Sequence, residues 1–149
     1  MIIENSLTYL LTQISIAYRN YLQKAMNRIG LHGGQVFVLI SLWENDGQSQ
    51  IELVKTLQLS PPTVNKMIGS LERNGFVESR RCGVDGRMMR VYLTITGTQS
   101  KALVEAQWAK LETQSFASLT ETEKLILQQI FGKLKDNLSR NLARSPLDL

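Results

Sequence analysis

Between residues 50 and 94 two short helical patterns meet across a tight turn, and a basic hairpin follows at once. This succession constrains the fold more than any other part of the chain. Ile51, Leu53, Val54 and Leu57 are spaced to point inward from a helix that Ser49 can cap. Gln58, Leu59 and Ser60 make the turn. Ser60 suits the N-cap of the next helix and Pro61 its first position, where a backbone N–H has no intrahelical partner to lose. Val64, Met67, Ile68 and Leu71 then form a stripe to be buried. Pro62, Thr63, Lys66, Gly69, Ser70 and Arg73 fall on the opposite side, and Asn74 with Gly75 stops the helix. Residues 76–81 and 89–95 read as two strands about a turn with two glycines and an Asp–Gly pair.

The flanks are helical. Residues 6–29 carry apolar side chains at three- and four-residue steps, with Ser6 as N-cap and Gly30 as a left-handed stop. A short, very apolar helix spans 36–43. After the hairpin, Thr94 or Thr96 opens a long helix to about residue 116, with Leu103, Val104, Trp108 and Leu111 as its main apolar residues. Thr120 and Glu123 form a capping box for a last helix to about residue 142. Its expected inner residues are Leu125, Ile126, Ile130, Phe131, Leu134, Leu138 and Leu142. The fold class is mainly α with a small β-hairpin wing (α+β): a winged helix-turn-helix between long N- and C-terminal helices. We expect one domain over residues 1–149, with the winged module at 33–95.

Charge is concentrated in that module. The chain carries a net +4, and residues 55–90 hold seven Lys and Arg against three Asp and Glu, so the remainder balances. Local positive charge of this kind is the footprint of polyanion binding. One cysteine, Cys82, excludes an intrachain disulfide, and with one histidine, His32, cannot supply a structural zinc site of about four ligands. No cofactor is expected. The apolar runs are too short to span a bilayer and the N-terminus lacks a basic flank with a cleavage site, so a cytoplasmic location is expected.

A helix-turn-helix presents the polar face of its second helix to base edges in the major groove. The candidate DNA-binding residues are Ser60, Pro62, Thr63, Asn65, Lys66, Ser70 and Arg73 on that helix. Arg80, Arg81, Asp85, Arg87 and Arg90 are the candidates on the hairpin. Asn can pair bidentately with adenine and a Thr methyl can meet the thymine methyl. Ser60 and Thr63 stand where the helix dipole favours a phosphate. An Arg at a hairpin tip can enter the narrow, negative minor groove, with Asp85 placed to hold Arg87.

The chain resembles the MarR/SlyA family of transcriptional regulators. The residues that carry the likeness are Gln35 and Val36 through Leu42, Gln50–Leu53, Leu59–Val64 and Leu71–Val77. Further on, Asp85-Gly86-Arg87 and Leu93-Thr94-Ile95-Thr96-Gly97 look like the family's wing and following helix start, and Leu119–Glu123 like the start of its last helix. The resemblance implies a homodimer built from residues 1–30 and 96–149, bound to a pseudo-palindromic operator. It further implies a repressor released by a small aromatic or anionic effector, for which Tyr18, Tyr21, Met26, Phe37 and Trp43 are the candidate ligand residues. Two other readings stand beside this one: a winged-helix scaffold that binds protein, and a thiol-sensing regulator using Cys82, which lies beside Arg80 and Arg81. No set of residues suggests an enzyme: His32 stands alone and no glycine loop is built to cradle phosphate.

Overall fold

The computed structural model describes residues 2–83 and 86–143. Two compact units divide the chain, Met1–Leu111 and Glu112–Leu149. In the first, a 3-10 turn (Ile3–Asn5) precedes α1 (Leu7–Asn27). The Ser6 hydroxyl caps α1 by accepting the Tyr9 N–H at 3.1 Å. The chain leaves through Gly30, whose φ of +80° is a conformation glycine adopts without a steric cost. α2 (Gln35–Glu44) follows, buried along Gln35, Val36, Val38, Leu39, Ser41 and Leu42.

α3 (Gln50–Leu57) starts with a full capping box: Ser49 accepts from the Glu52 N–H, and the Glu52 carboxylate accepts from the Ser49 N–H. Gln58 ends it in the left-handed conformation at φ 54°. Ser60 then caps α4 (Pro61–Arg73), whose Val64, Ile68 and Leu71 are buried. β2 (Val77–Cys82) and β3 (Met88–Leu93) form the hairpin, in register from Val77 opposite Leu93 to Cys82 opposite Met88.

The sheet has a strand that the sequence pattern did not announce. β1 (Gln48–Ser49) pairs antiparallel with β3, so the order is β1-β3-β2 and β3 lies in the middle. Two polar residues carry no alternation to detect. Their strand is specified by side-chain bonds instead: buried Gln48 donates to the carbonyls of Ser41 at 2.8 Å and Asn45 at 2.7 Å. Asp46 accepts from the Leu93 N–H at 2.9 Å, tying the end of β3 to the same turn.

Thr94 links the hairpin to α5 (Ile95–Ser115). Its hydroxyl accepts from the Gly97 N–H at 3.1 Å and donates to the Gly75 carbonyl at 2.6 Å. Gly97 is buried against the Phe76 carbonyl, where a side chain would collide, and its own carbonyl receives the Trp43 indole N–H at 3.0 Å. The core of this unit runs from Met26 and Leu31 through Val36, Leu39 and Leu42 to Leu53, Val64, Leu71 and Val91.

In the second unit α6 (Glu121–Ala143) starts at the expected box, with the Thr120 N–H on the Glu123 carboxylate at 2.8 Å and the Glu123 N–H on the Thr120 hydroxyl at 3.2 Å. Its apolar stripe is not inside the chain. Leu125, Ile126, Ile130, Phe131, Leu138 and Leu142 are exposed, and Leu134 is half-buried. Leu7, Leu10 and Ile14 of α1 and Leu103 of α5 are also exposed. Helical spacing marks where apolar surface gathers but not what covers it. Ile51 corrects the expectation in another way: it is 69% exposed in the first turn of α3, and Leu53 takes the inward position. Among the described residues, no helix is long and apolar enough to cross a membrane.

Candidate nucleic-acid interface

α4 presents its polar side as its stripe pattern requires. Pro62, Thr63, Asn65, Lys66 and Arg73 are all exposed, while Val64, Ile68 and Leu71 fix the helix to the core. At its N-terminus the Ser60 and Thr63 hydroxyls lie 2.7 Å apart and Ser60 accepts the Thr63 N–H at 3.4 Å. Ser70 departs from the rest of the set. It is half-buried, and its hydroxyl accepts from the Gln35 side-chain amide at 2.6 Å. Its place is the shoulder between the buried stripe and the open face.

The hairpin arginines divide into two groups. Arg80 and Arg90 stand directly opposite each other in the β2–β3 register, where like charges repel. Each is drawn to its own acceptors. The Arg80 guanidinium pairs with Glu78, through its Nε–H at 3.0 Å and its Nη2, and lies over the Tyr92 ring with 4.6 Å to the centroid. Glu78 holds the Arg80 guanidinium above its ordinary range, so the cation is secure. Arg90 is half-buried and donates to the Gly47 carbonyl at 2.8 Å and the Glu52 carboxylate at 3.4 Å. It anchors β3 to the β1 turn and to the start of α3. The Ser49 backbone N–H, helped by Arg90 and Lys55, holds the Glu52 carboxylate below the usual range.

Arg81 and Arg87 form the second group, both exposed toward the tip of the hairpin. Asp85, expected to hold Arg87, lies outside the described residues. Cys82 is half-buried, with its Sγ 3.8 Å from the Tyr92 hydroxyl, and that contact raises the Tyr92 phenol above its ordinary range. Tyr92 and Gln35 escaped the sequence reading because each owes its role to a residue on another strand or helix, whereas Glu78 meets Arg80 two residues along the same strand.

The five candidate ligand residues differ in burial. Met26 is fully buried in the core, Tyr18 is half-buried, and Tyr21 and Phe37 are exposed. Trp43 alone of the five lines a groove of about 220 Å³ between α2 and α5. Ile40, Glu44, Lys101, Val104, Glu105 and Trp108 complete its walls. Both tryptophans of the chain therefore face the same space.

Residues 31–89, which run from just before α2 to the start of β3, match the family model described as MarR family. An uncharacterized HTH-type transcriptional regulator of Bacillus subtilis, YwoH, is 29% identical over 126 residues, covering 83% of this chain and 91% of the relative. The HTH-type transcriptional repressor IacR of Pseudomonas putida is 26% identical over 131 residues, covering 87% of this chain and 78% of IacR. A crystal structure of a putative MarR family transcriptional regulator from Listeria monocytogenes, complexed with a 26mer DNA, superposes with a TM-score of 0.79. It shares 22% sequence identity over 92% of this chain and 91% of that one. At that identity the superposition speaks for the fold. The family match lies over the helix-turn-helix and most of its wing, and the relatives matched along most of the chain are named as HTH-type transcriptional regulators.

Proposed function

We propose that this regulator binds duplex DNA as a homodimer and represses transcription until a small molecule releases it. One observation carries the DNA-binding reading. The exposed side of α4 offers Thr63, Asn65, Lys66 and Arg73, on the same compact unit as exposed Arg81 and Arg87. Asn65 has the donor and acceptor pair that matches adenine, and Lys66 and Arg73 reach guanine or phosphate. Arg87 is the residue for the minor groove. Ser60 and Thr63 supply a phosphate contact at the α4 N-terminus. Arg80, Arg90 and Ser70 serve the interface from behind, by holding the wing and the helix in place.

The exposed apolar stripes support the dimer. Ile126, Ile130, Phe131, Leu138 and Leu142 recur at helical spacing on α6, and Leu7, Leu10 and Ile14 do so on α1. Exposed stripes of that length on a water-soluble fold mark a surface for another protein, and a second copy of the chain satisfies both. The relative named as a repressor and the homologue solved with DNA agree with the direction of this reading.

The groove at Trp43 and Trp108 is the proposed effector site. At about 220 Å³ it is below the ~300–1,000 Å³ of drug-sized pockets, so it suits a single-ring molecule. Lys101 on its wall lies 4.0 Å from the Glu105 carboxylate and Glu44 lines the same space, so the groove suits an aromatic ring better than an anion. An effector bound there should change the intrinsic tryptophan fluorescence, because both indoles line the space.

Selection of duplexes from a randomised pool by the purified chain tests the central claim. The expected product is a pseudo-palindrome whose half-sites are about one helical turn, ~34 Å, apart, bound with an affinity that falls as salt rises. Retention of no duplex at low ionic strength would overturn the reading in favour of a protein-binding scaffold.

A further inference from the structure

Gln35 is the first residue of α2 and only 4% exposed. A buried amide of this kind is costly unless each of its polar atoms finds a partner. Its Nε2 donates to the Ser70 hydroxyl of α4 at 2.6 Å, and its Oε1 accepts the His32 backbone N–H at 3.0 Å. His32 is held in turn from the end of α1. With its amide turned to match its neighbours, Asn27 donates to His32 Nδ1 at 2.9 Å and to the Leu31 carbonyl at 3.1 Å. A continuous chain of hydrogen bonds thus runs from the last turn of α1, through the 28–34 loop and the start of α2, to the helix that faces solvent.

The preceding residue completes the seat. A Cβ on Gly34 would come within 2.5 Å of Met67 Cε, so the α2 N-terminus is pressed directly against α4. Met67 and Ser70 are three residues apart and adjacent on the helix surface, on the shoulder beside the open face. One contact is apolar and close, the other polar and directional. Both contacts fall on the side of α4 that meets the start of α2.

We propose that Gln35 is a positioning residue for base readout, setting through Ser70 the angle at which α4 presents Asn65, Lys66 and Arg73. The inference rests on α4 being the reading helix. Side-chain tips lie ~5–6 Å from a helix axis, so a rotation of roughly 15° moves them by about 1.5 Å. That is enough to break a bidentate bond to a base edge. Long Lys and Arg side chains on phosphates follow such a movement easily. Losing the Gln35–Ser70 bond should therefore cost sequence discrimination and spare the salt-dependent, sequence-independent affinity.

The test uses a duplex selected by the wild-type chain and a scrambled duplex of the same length and composition. Gln35→Leu and Ser70→Ala should each lower the ratio of the two affinities by about tenfold, the discrimination of one base-edge contact. The scrambled-duplex affinity and the slope of log affinity against log salt should stay unchanged. Ser70→Thr keeps the hydroxyl and should keep the ratio, and the double variant Gln35→Leu/Ser70→Ala should be no worse than either single one. Should Gln35→Leu not fold, Ser70→Ala carries the test from the half-exposed side. A ratio unchanged in folded Ser70→Ala, or an equal loss on both duplexes, would overturn the proposal while leaving α4 as the reading helix. A wild-type chain that selects no duplex would remove both.

Discussion

Two residues repay attention for opposite reasons. Gln58 joins α3 to α4 at a φ of 54°, a conformation that costs a residue with a Cβ ~1–2 kcal/mol and glycine none. Glycine loses ~0.5–1 kcal/mol more chain entropy on folding, so Gln58→Gly should raise stability by roughly 0.5–1 kcal/mol, as read from urea unfolding midpoints. Arg87 is exposed beside the turn of the hairpin. Arg87→Ala should weaken binding to the selected duplex and reduce the salt slope by about 1 per protomer, with the circular dichroism spectrum unchanged. Unchanged affinity with unchanged helicity would take the wing tip out of the mechanism. Arg80 and Arg90 invite the contrary expectation. Their guanidiniums are engaged by Glu78 and by Gly47 and Glu52, so their loss should act first on the hairpin itself. Arg80 finds Glu78 two positions away on its own strand, but only the packing of β3 brings Arg90 to Gly47 and Glu52.

At the level of elements, the caps and stops were legible because each is written within a few residues. Ser6, Ser49, Ser60 and the Thr120–Glu123 box all close over three positions, and Gly30 and Gly75 both carry positive φ. β1 was not legible, since two residues have no period. The junction of wing and α5 gives a clear test. Gly→Ala inside a helix normally stabilises, by up to ~1 kcal/mol. At Gly97 the sign should reverse, because the new methyl would strike the Phe76 carbonyl. Overpacking of this kind costs about 1–3 kcal/mol, and Gly97→Ala should lower the urea midpoint accordingly. A rise in the midpoint would mean that α5 can shift away from the hairpin at little cost. Glu52 adds a pH dependence. Its carboxylate lies below the ordinary range when folded, so the stability it lends is present above the unfolded value and is lost as pH falls through the folded one. Glu52→Gln should flatten the acid side of the stability profile.

For the whole molecule the decisive quantity is the apolar surface that one chain leaves open. α6 has no buried residue, yet Phe131 and Leu138 recur on it at the spacing of a packing face. Sedimentation should find a species of twice the 16.8 kDa chain mass. Phe131→Glu should shift it toward the single-chain mass and weaken duplex binding more than any one change on α4, since two half-sites are read together only by a dimer. A monomer in the wild-type chain at micromolar concentration would remove the dimer and, with it, the expected palindrome.

The order of helices, the helix-turn-helix, the hairpin and the polar side of α4 followed from the sequence alone. Each depends on periods of two or 3.6 residues, on caps and on glycine turns, all of which act over a handful of neighbours. The tertiary structure decided which polar side chains are exposed and which are held by partners far along the chain. Gln35 with Ser70, Arg90 with Gly47 and Arg90 with Glu52 join residues 35, 43 and 38 positions apart. A hydrogen bond needs its partner within about 3 Å, and only the packed core brings groups so distant in the chain to that distance.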